Sequence, residues 1–202
     1  MINEVAYQLV KALSENLVFA DRWAGLVTPL KKMVDKREKI FPVAINTKTD
    51  CDLSDFMDLV PDTSKKSVIY AELLSAPVVE HFRGNTYNVD ASLKLVCWYN
   101  LDLITEGNYV DEGTILMHII SHIPKTLSNS LFDYSKGVNI FVDSTESGSQ
   151  ILDRYSYDEV KSQYATFPYG VVAVSLNIKY IAVNCLDDII PAPACGANLK
   201  GV

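Results

Sequence analysis

His118 and His122 come nearest to a reactive constellation in this chain. Four residues apart on a predicted helix, their imidazoles would share one side at a spacing a metal ion could use. A metalloprotease helix also needs a glutamate directly after the first histidine to act as general base, and that position is Ile119. His81, Asp111 or Glu112 could supply a third ligand, but nothing in the spacing brings them together. The pair is therefore expected to lie on a polar helix face, with no metal. Asp143, Glu146, Asp153, Asp158 and Glu159 could offer two carboxylates for glycoside chemistry, yet sequence cannot set the separation that mechanism needs, and they read as solvated acids. Asp50, Asp52, Asp55, Asp58 and Asp62 crowd a hard-cation type of sequence without the glycine and glutamate of an EF-hand loop. A loop or short amphipathic helix with an acidic rim is the expectation there.

Other routes to chemistry are closed. There is no nucleophile elbow, phosphate loop or dinucleotide fingerprint, and Ser147-Gly148-Ser149 reads as a flexible connection. Cys51, Cys97, Cys185 and Cys195 form no C-x-x-C pair, so structural zinc is not expected. Cys185 and Cys195 could clip the C-terminal tail, but free thiols are the expectation in a reducing compartment. No catalytic residue and no cofactor are predicted.

The positioning elements are far more legible than any site. From Thr86 to Asp102 every second residue is apolar: Tyr87, Val89, Ala91, Leu93, Leu95, Cys97, Tyr99 and Leu101 share one face. A period of two over that length predicts a strand buried on one side. Val172, Val174, Leu176, Ile178, Tyr180 and Ala182 repeat the pattern. Both exceed the roughly 5–6 residues of a typical strand, and overlong strands usually end in an arm or pair with a neighbouring chain. Arg83-Gly84-Asn85-Thr86 supplies a tight turn joining Val78–Phe82 to the first long strand, with a bend at Ala76-Pro77. The pair should project as a β-ribbon.

Helical spacing of Ile2, Val5, Ala6, Leu9, Val10, Leu13 and Leu17 predicts a helix over 3–17, and Asp111 to Thr114 lead into a second helix ending before Pro124. Phe19 to Val27 reads as short and irregular. Leu30 to Lys39 reads as a solvated basic face, Ile40 to Ile45 as an edge strand, and Val138 to Val142 as a short strand before a polar loop over 144–150. Residues 151–167 give no assignable pattern. The expected fold is α+β: an antiparallel sheet with a long projecting β-hairpin, an N-terminal helix and one helix packed across the sheet. Residues 1–190 would form one domain, with 30–66 as an insertion or loop-rich region and 191–202 as an extended tail.

Val96, Trp98 and Val171 fall on the nominally wet faces of the two long strands. Burial at subunit contacts would explain them, and so would cover from the same chain. With Arg83, Gly84 and Asn85 at the ribbon tip, they are the candidate interaction residues.

A chain of 202 residues with 49% hydrophobic and 21% charged residues can build an ordered core without staples. The opening Met-Ile-Asn-Glu has no basic region before an apolar run, so no secretion signal is expected, and no apolar stretch reaches the roughly 20 residues that span a bilayer. A formal net charge of −7 disfavours unspecific nucleic-acid binding through phosphate repulsion.

The order of an N-terminal amphipathic helix (Asn3–Leu17), the hairpin through Arg83-Gly84-Asn85-Thr86, a sheet-crossing helix (Thr114–Ile123), a short strand and the long strand from Tyr169-Gly170 resembles the tail-terminator and neck-ring proteins of tailed bacteriophages. Length and proline-rich tail are similar to those of a crAss-like phage neck protein. The resemblance implies a virion structural protein: a homo-oligomeric ring, sixfold or twelvefold, at the head–tail connection. Its partners would be portal, neck or tail proteins, and DNA would pass through its acidic lumen without specific binding. The Pro29–Lys66 stretch and the tail depart from the smaller terminators. The competing class is a small α+β enzyme or ligand-binding domain of unknown substrate.

Overall fold

The computed structural model describes residues 2–45, 56–83, 86–106, 110–127, 137–156 and 165–183. In chain order the elements are α1 (Ile2–Asn16), β1 (Arg22–Leu26), β2 (Thr28–Val34), β3 (Arg37–Ile45), β4 (Phe56–Asp58), β5 (Ser67–Leu73), β6 (Val78–Arg83), β7 (Thr86–Asn100), α2 (Leu101–Thr105), α3 (Glu112–His122), β8 (Thr126–Leu127), β9 (Val138–Ser147) and β10 (Tyr169–Val183), with a 3-10 turn at Ser149–Leu152 before β10. The fold is mixed α+β, as the alternation and the two helical stripes predict.

β7 and β10 are each 15 residues long and pair antiparallel along their whole length, from Tyr169 opposite Asn100 to Val183 opposite Thr86. They form the spine of a seven-stranded sheet ordered β1-β5-β7-β10-β9-β8. β6 continues where β5 leaves off on the same side of β7, so Ser67–Leu73 cover its C-terminal half and Val78–Arg83 its N-terminal end. The bend at Ala76-Pro77 falls between them, as read from the proline. β1 corrects the expectation of an irregular stretch and of a wholly antiparallel sheet: Arg22 and Trp23 pair parallel with Val68 and Ile69. Five residues are too few to show a period. The α1 backbone passes so close that a Cβ on Gly25 would lie 2.8 Å from the Cα of Tyr7.

One sheet face carries the main core. Leu93, Leu95, Cys97 and Tyr99 of β7 and Val172, Val174, Leu176 and Ile178 of β10 pack with Val5, Leu9 and Leu13 of α1 and Ile115 and Ile119 of α3. This is the face the period-two pattern assigns to the interior. α3 starts one turn earlier than the apolar run, because the Asp111 carboxylate accepts from the Thr114 N–H at 3.0 Å and the Thr114 hydroxyl at 2.6 Å, capping the first turn. Those two donors hold the Asp111 carboxyl below the usual carboxylate range.

On the opposite face a second core forms over only part of the sheet. Val68, Tyr70, Val96, Trp98, Val171 and Ala173 are covered there by Ala24, Val27, Ala44, Leu59, Ile151, Leu152 and Tyr155. Part of that cover, Ala44 of β3 and Leu59 just after β4, belongs to a separate three-stranded antiparallel sheet, β2-β3-β4, and Ile151, Leu152 and Tyr155 come from the 3-10 turn and the residues after it. The stretch read as a charged, solvated face is thus a β-hairpin whose exposed side carries the charge. Pro29 and Pro42 sit opposite each other in it. The Pro42 carbonyl points away from β2, accepting the Leu59 N–H at 3.0 Å, so this rung is a non-hydrogen-bonded pair and the prolines remove no β2–β3 bond.

The hairpin turns through Asp35 (φ 52°) and Lys36 (φ 63°), the two left-handed positions of a type I′ turn. Aspartate tolerates that region and lysine does so at a cost. Lys36→Gly is expected to stabilise the protein by about 0.5–1 kcal/mol, read as a rise in the denaturant midpoint at constant slope. An unchanged or lower midpoint would show that the turn is not held in this conformation.

Candidate functional site

The sequence-derived interaction residues divide into two groups. Val96, Trp98 and Val171 are 0%, 1% and 0% exposed, so the chain itself supplies their cover and they offer no surface to a partner. Of the two explanations for apolar residues on a wet face, cover from the same chain is the one observed. The cover is Ala24, Val27, Ala44, Leu59, Ile151, Leu152 and Tyr155, drawn from stretches whose sequence pattern shows no such role. Arg83 ends β6, where it pairs with Thr86, while Gly84 and Asn85 lie outside the described residues.

The histidine pair behaves as a surface feature. The ring of His118 lies 5.8 Å from that of Phe19 and 4.5 Å from that of His122. His122 Nδ1 is 2.8 Å from the backbone oxygen of His118, an interaction within one helix turn. No three His, Cys, Asp or Glu side chains gather as a metal site among the described residues. Of the clustered acids, Asp58 accepts from Lys32 Nζ at 2.5 Å, and Asp62 accepts from the Ser64 hydroxyl and N–H, which lower its pKa. Asp50, Asp52 and Asp55 lie outside the described residues, as do Asp158, Glu159, Cys51, Cys185, Cys195 and the 191–202 tail. Cys97 is a free thiol, pushed up to about 12 by burial, which keeps it protonated and unreactive.

The sequence reading missed Glu72. It is 3% exposed within a strand buried from Ser67 onward. Its carboxylate accepts from the Tyr155 hydroxyl at 2.5 Å and from Arg154 at 2.9 Å. Burial and the adjacent carboxylate push the Tyr155 phenol far above its ordinary value, so it stays a donor. Both carboxylate oxygens are engaged, and the cluster ties β5 to the segment after the 3-10 turn, bracing the second core. The signal available was a lone acid inside an otherwise apolar strand.

Beyond this brace the uncovered half of the face is polar and orderly. Lys94 reaches Glu146 at 2.9 Å, the Ser92 hydroxyl donates to Asn177 at 3.1 Å, and Lys179 lies 3.5 Å from Asp90. The last two are pairs between neighbouring strands, while Lys94–Glu146 reaches across β10, and each exposed pair is worth a fraction of a kcal/mol.

The sheet edges depart from that pattern. Among the described residues, β6 pairs only with β7, and β9 beyond Ile140 pairs only with β10. β9 runs on to Ser147 where a polar loop was expected, because an edge strand exposed on both faces has no reason to alternate. Val78 and Val79 on β6 are 59% and 57% exposed, and Phe141 and Val142 on β9 are 53% and 44% exposed. Edges of this kind are templates for strand addition. The outer edge of β2 is protected in the usual way by Pro29, Lys31 and Lys32.

Among the described residues no helix is long and apolar enough to cross a membrane. Neither a protein-family model nor a curated protein matches the chain, so its function must be argued from the arrangement of its own residues.

Proposed function

We propose that this protein is a structural subunit of a tailed-phage virion, forming a homo-oligomeric ring in the neck that joins head and portal to tail, without catalysis. The observation that carries the reading is the pair of dissimilar edges left open among the described residues: β6 with Val78 and Val79, and β9 with Phe141 and Val142. Two different sticky edges on one sheet favour head-to-tail contacts, and such contacts close into rings when the rotation between copies allows. The element order, which resembles that of terminator and neck proteins, and the net charge of −7, suited to a lumen that DNA traverses, support the same reading.

Sedimentation velocity and electron microscopy across a concentration range test it. Wild-type protein should give concentration-dependent rings, and Val79→Lys should abolish them. Because Val79 is exposed, the variant should unfold within about 0.5 kcal/mol of wild type. A wild-type protein that stays monomeric at millimolar concentration, or that is missing from purified particles of the virus encoding it, would overturn the proposal.

A further inference from the structure

Resting on the ring reading, we infer that its contact is a specific strand pairing: β9 of one copy adds antiparallel to β6 of a second copy, making one sheet continuous through the interface. Four strands, β6-β7-β10-β9, lie between the open edges, and each is antiparallel to the next. With an even number of alternating strands, a copy related by rotation about a ring axis presents β6 running opposite to β9. That is the favoured antiparallel pairing.

Charge selects the occupant. Val138–Ser147 carries Asp143 and Glu146 and no basic residue, so pairing β9 with another β9 would set acids against acids. Val78–Arg83 offers His81 and Arg83 beside Glu80. Apolar residues also match by face. Val79 and Val142 stand opposite Val89 and Leu176, on the main-core side of the sheet, while Val78 and Phe141 stand opposite Asp90 and Asn177 on the other side.

The offset between the two edges fits closure. Glu80 lies level with Ile181 through Asn88, whereas Ser144 lies level with Ser175, six residues back along β10. Bringing β6 of the next copy against β9 therefore shifts it about 20 Å along the strands for every four strands, which are about 19 Å wide. That shear corresponds to a strand tilt of about 45°, at the upper end of the range in closed barrels.

Val79→Cys and Thr145→Cys, which that offset sets opposite each other, made separately and together in the whole chain, test the pairing with a short bismaleimide, against wild type as the control for native thiols. Mixed single variants should give covalent dimers at least tenfold above either variant alone, and the double variant a ladder up to the ring. Rings that form without this cross-link, or Val79→Cys joining chiefly to itself, would overturn the strand pairing while leaving the ring standing. Failure of the wild type to oligomerise would overturn both.

Discussion

Trp98→Ala is expected to destabilise the isolated chain by about 3–5 kcal/mol, a large share of the stability of a domain this size. Trp98 is 1% exposed and lies in the middle of the second core. On the sheet it occupies one row with Val68 and Val171, and its ring stacks on Tyr169 at 5.6 Å and 21°. Truncation removes those contacts and leaves a cavity that the sheet on one side and its cover of Ala44, Leu59, Ile151 and Leu152 on the other cannot collapse to fill. The loss should appear as a lower denaturant midpoint, independent of protein concentration. Trp98→Phe should recover more than half of it. A loss that grew with concentration would assign the residue to a contact between copies, against the burial seen in one chain.

The same residue shows how far the sequence could be read. Alternation put Trp98, Val96 and Val171 on the face opposite Leu95 and Val172, and the structure keeps that parity at every position of the β7–β10 ladder. What alternation cannot reveal is what lies above a face. Part of the cover is β3, whose Ala44 packs into the second core while Lys31, Lys36 and Arg37 of the same hairpin are exposed, and the rest includes Leu59, Ile151, Leu152 and Tyr155, from stretches with no readable period. β1 is five residues long and joins the sheet by a parallel pairing to β5, more than forty residues away in sequence, which no local signal encodes. β9 runs past the short strand its sequence predicts, because exposure on both faces erases alternation. That loss of signal marks the edge on which the assembly proposal rests.

Gly170→Ala is expected to cost about 3 kcal/mol, although the substitution adds a single methyl group and introduces no backbone conflict. Gly170 is opposite Tyr99 in the β7–β10 ladder, and the Tyr99 ring lies across it. A Cβ at position 170 would stand 2.7 Å from Cε2 of that ring, with Cζ and Oη nearer still. Tyr99 is 2% exposed and packed in the main core. Burial and the neighbouring Glu112 raise its phenol well above the ordinary value, so the ring also stays neutral across the physiological range. A surface tyrosine would swing aside, but this one can move only by displacing its neighbours in a close-packed interior. The clash is specific to the pair, which makes it separable from a general weakening of the strand. Tyr99→Leu removes the far end of the ring and should cost stability alone. Combined with Gly170→Ala it should cost less than the two single losses together, by about 1–2 kcal/mol. Simple additivity in that double-mutant cycle would mean that the ring does not occupy the space over Gly170, and that the glycine is there for a reason other than room for Tyr99.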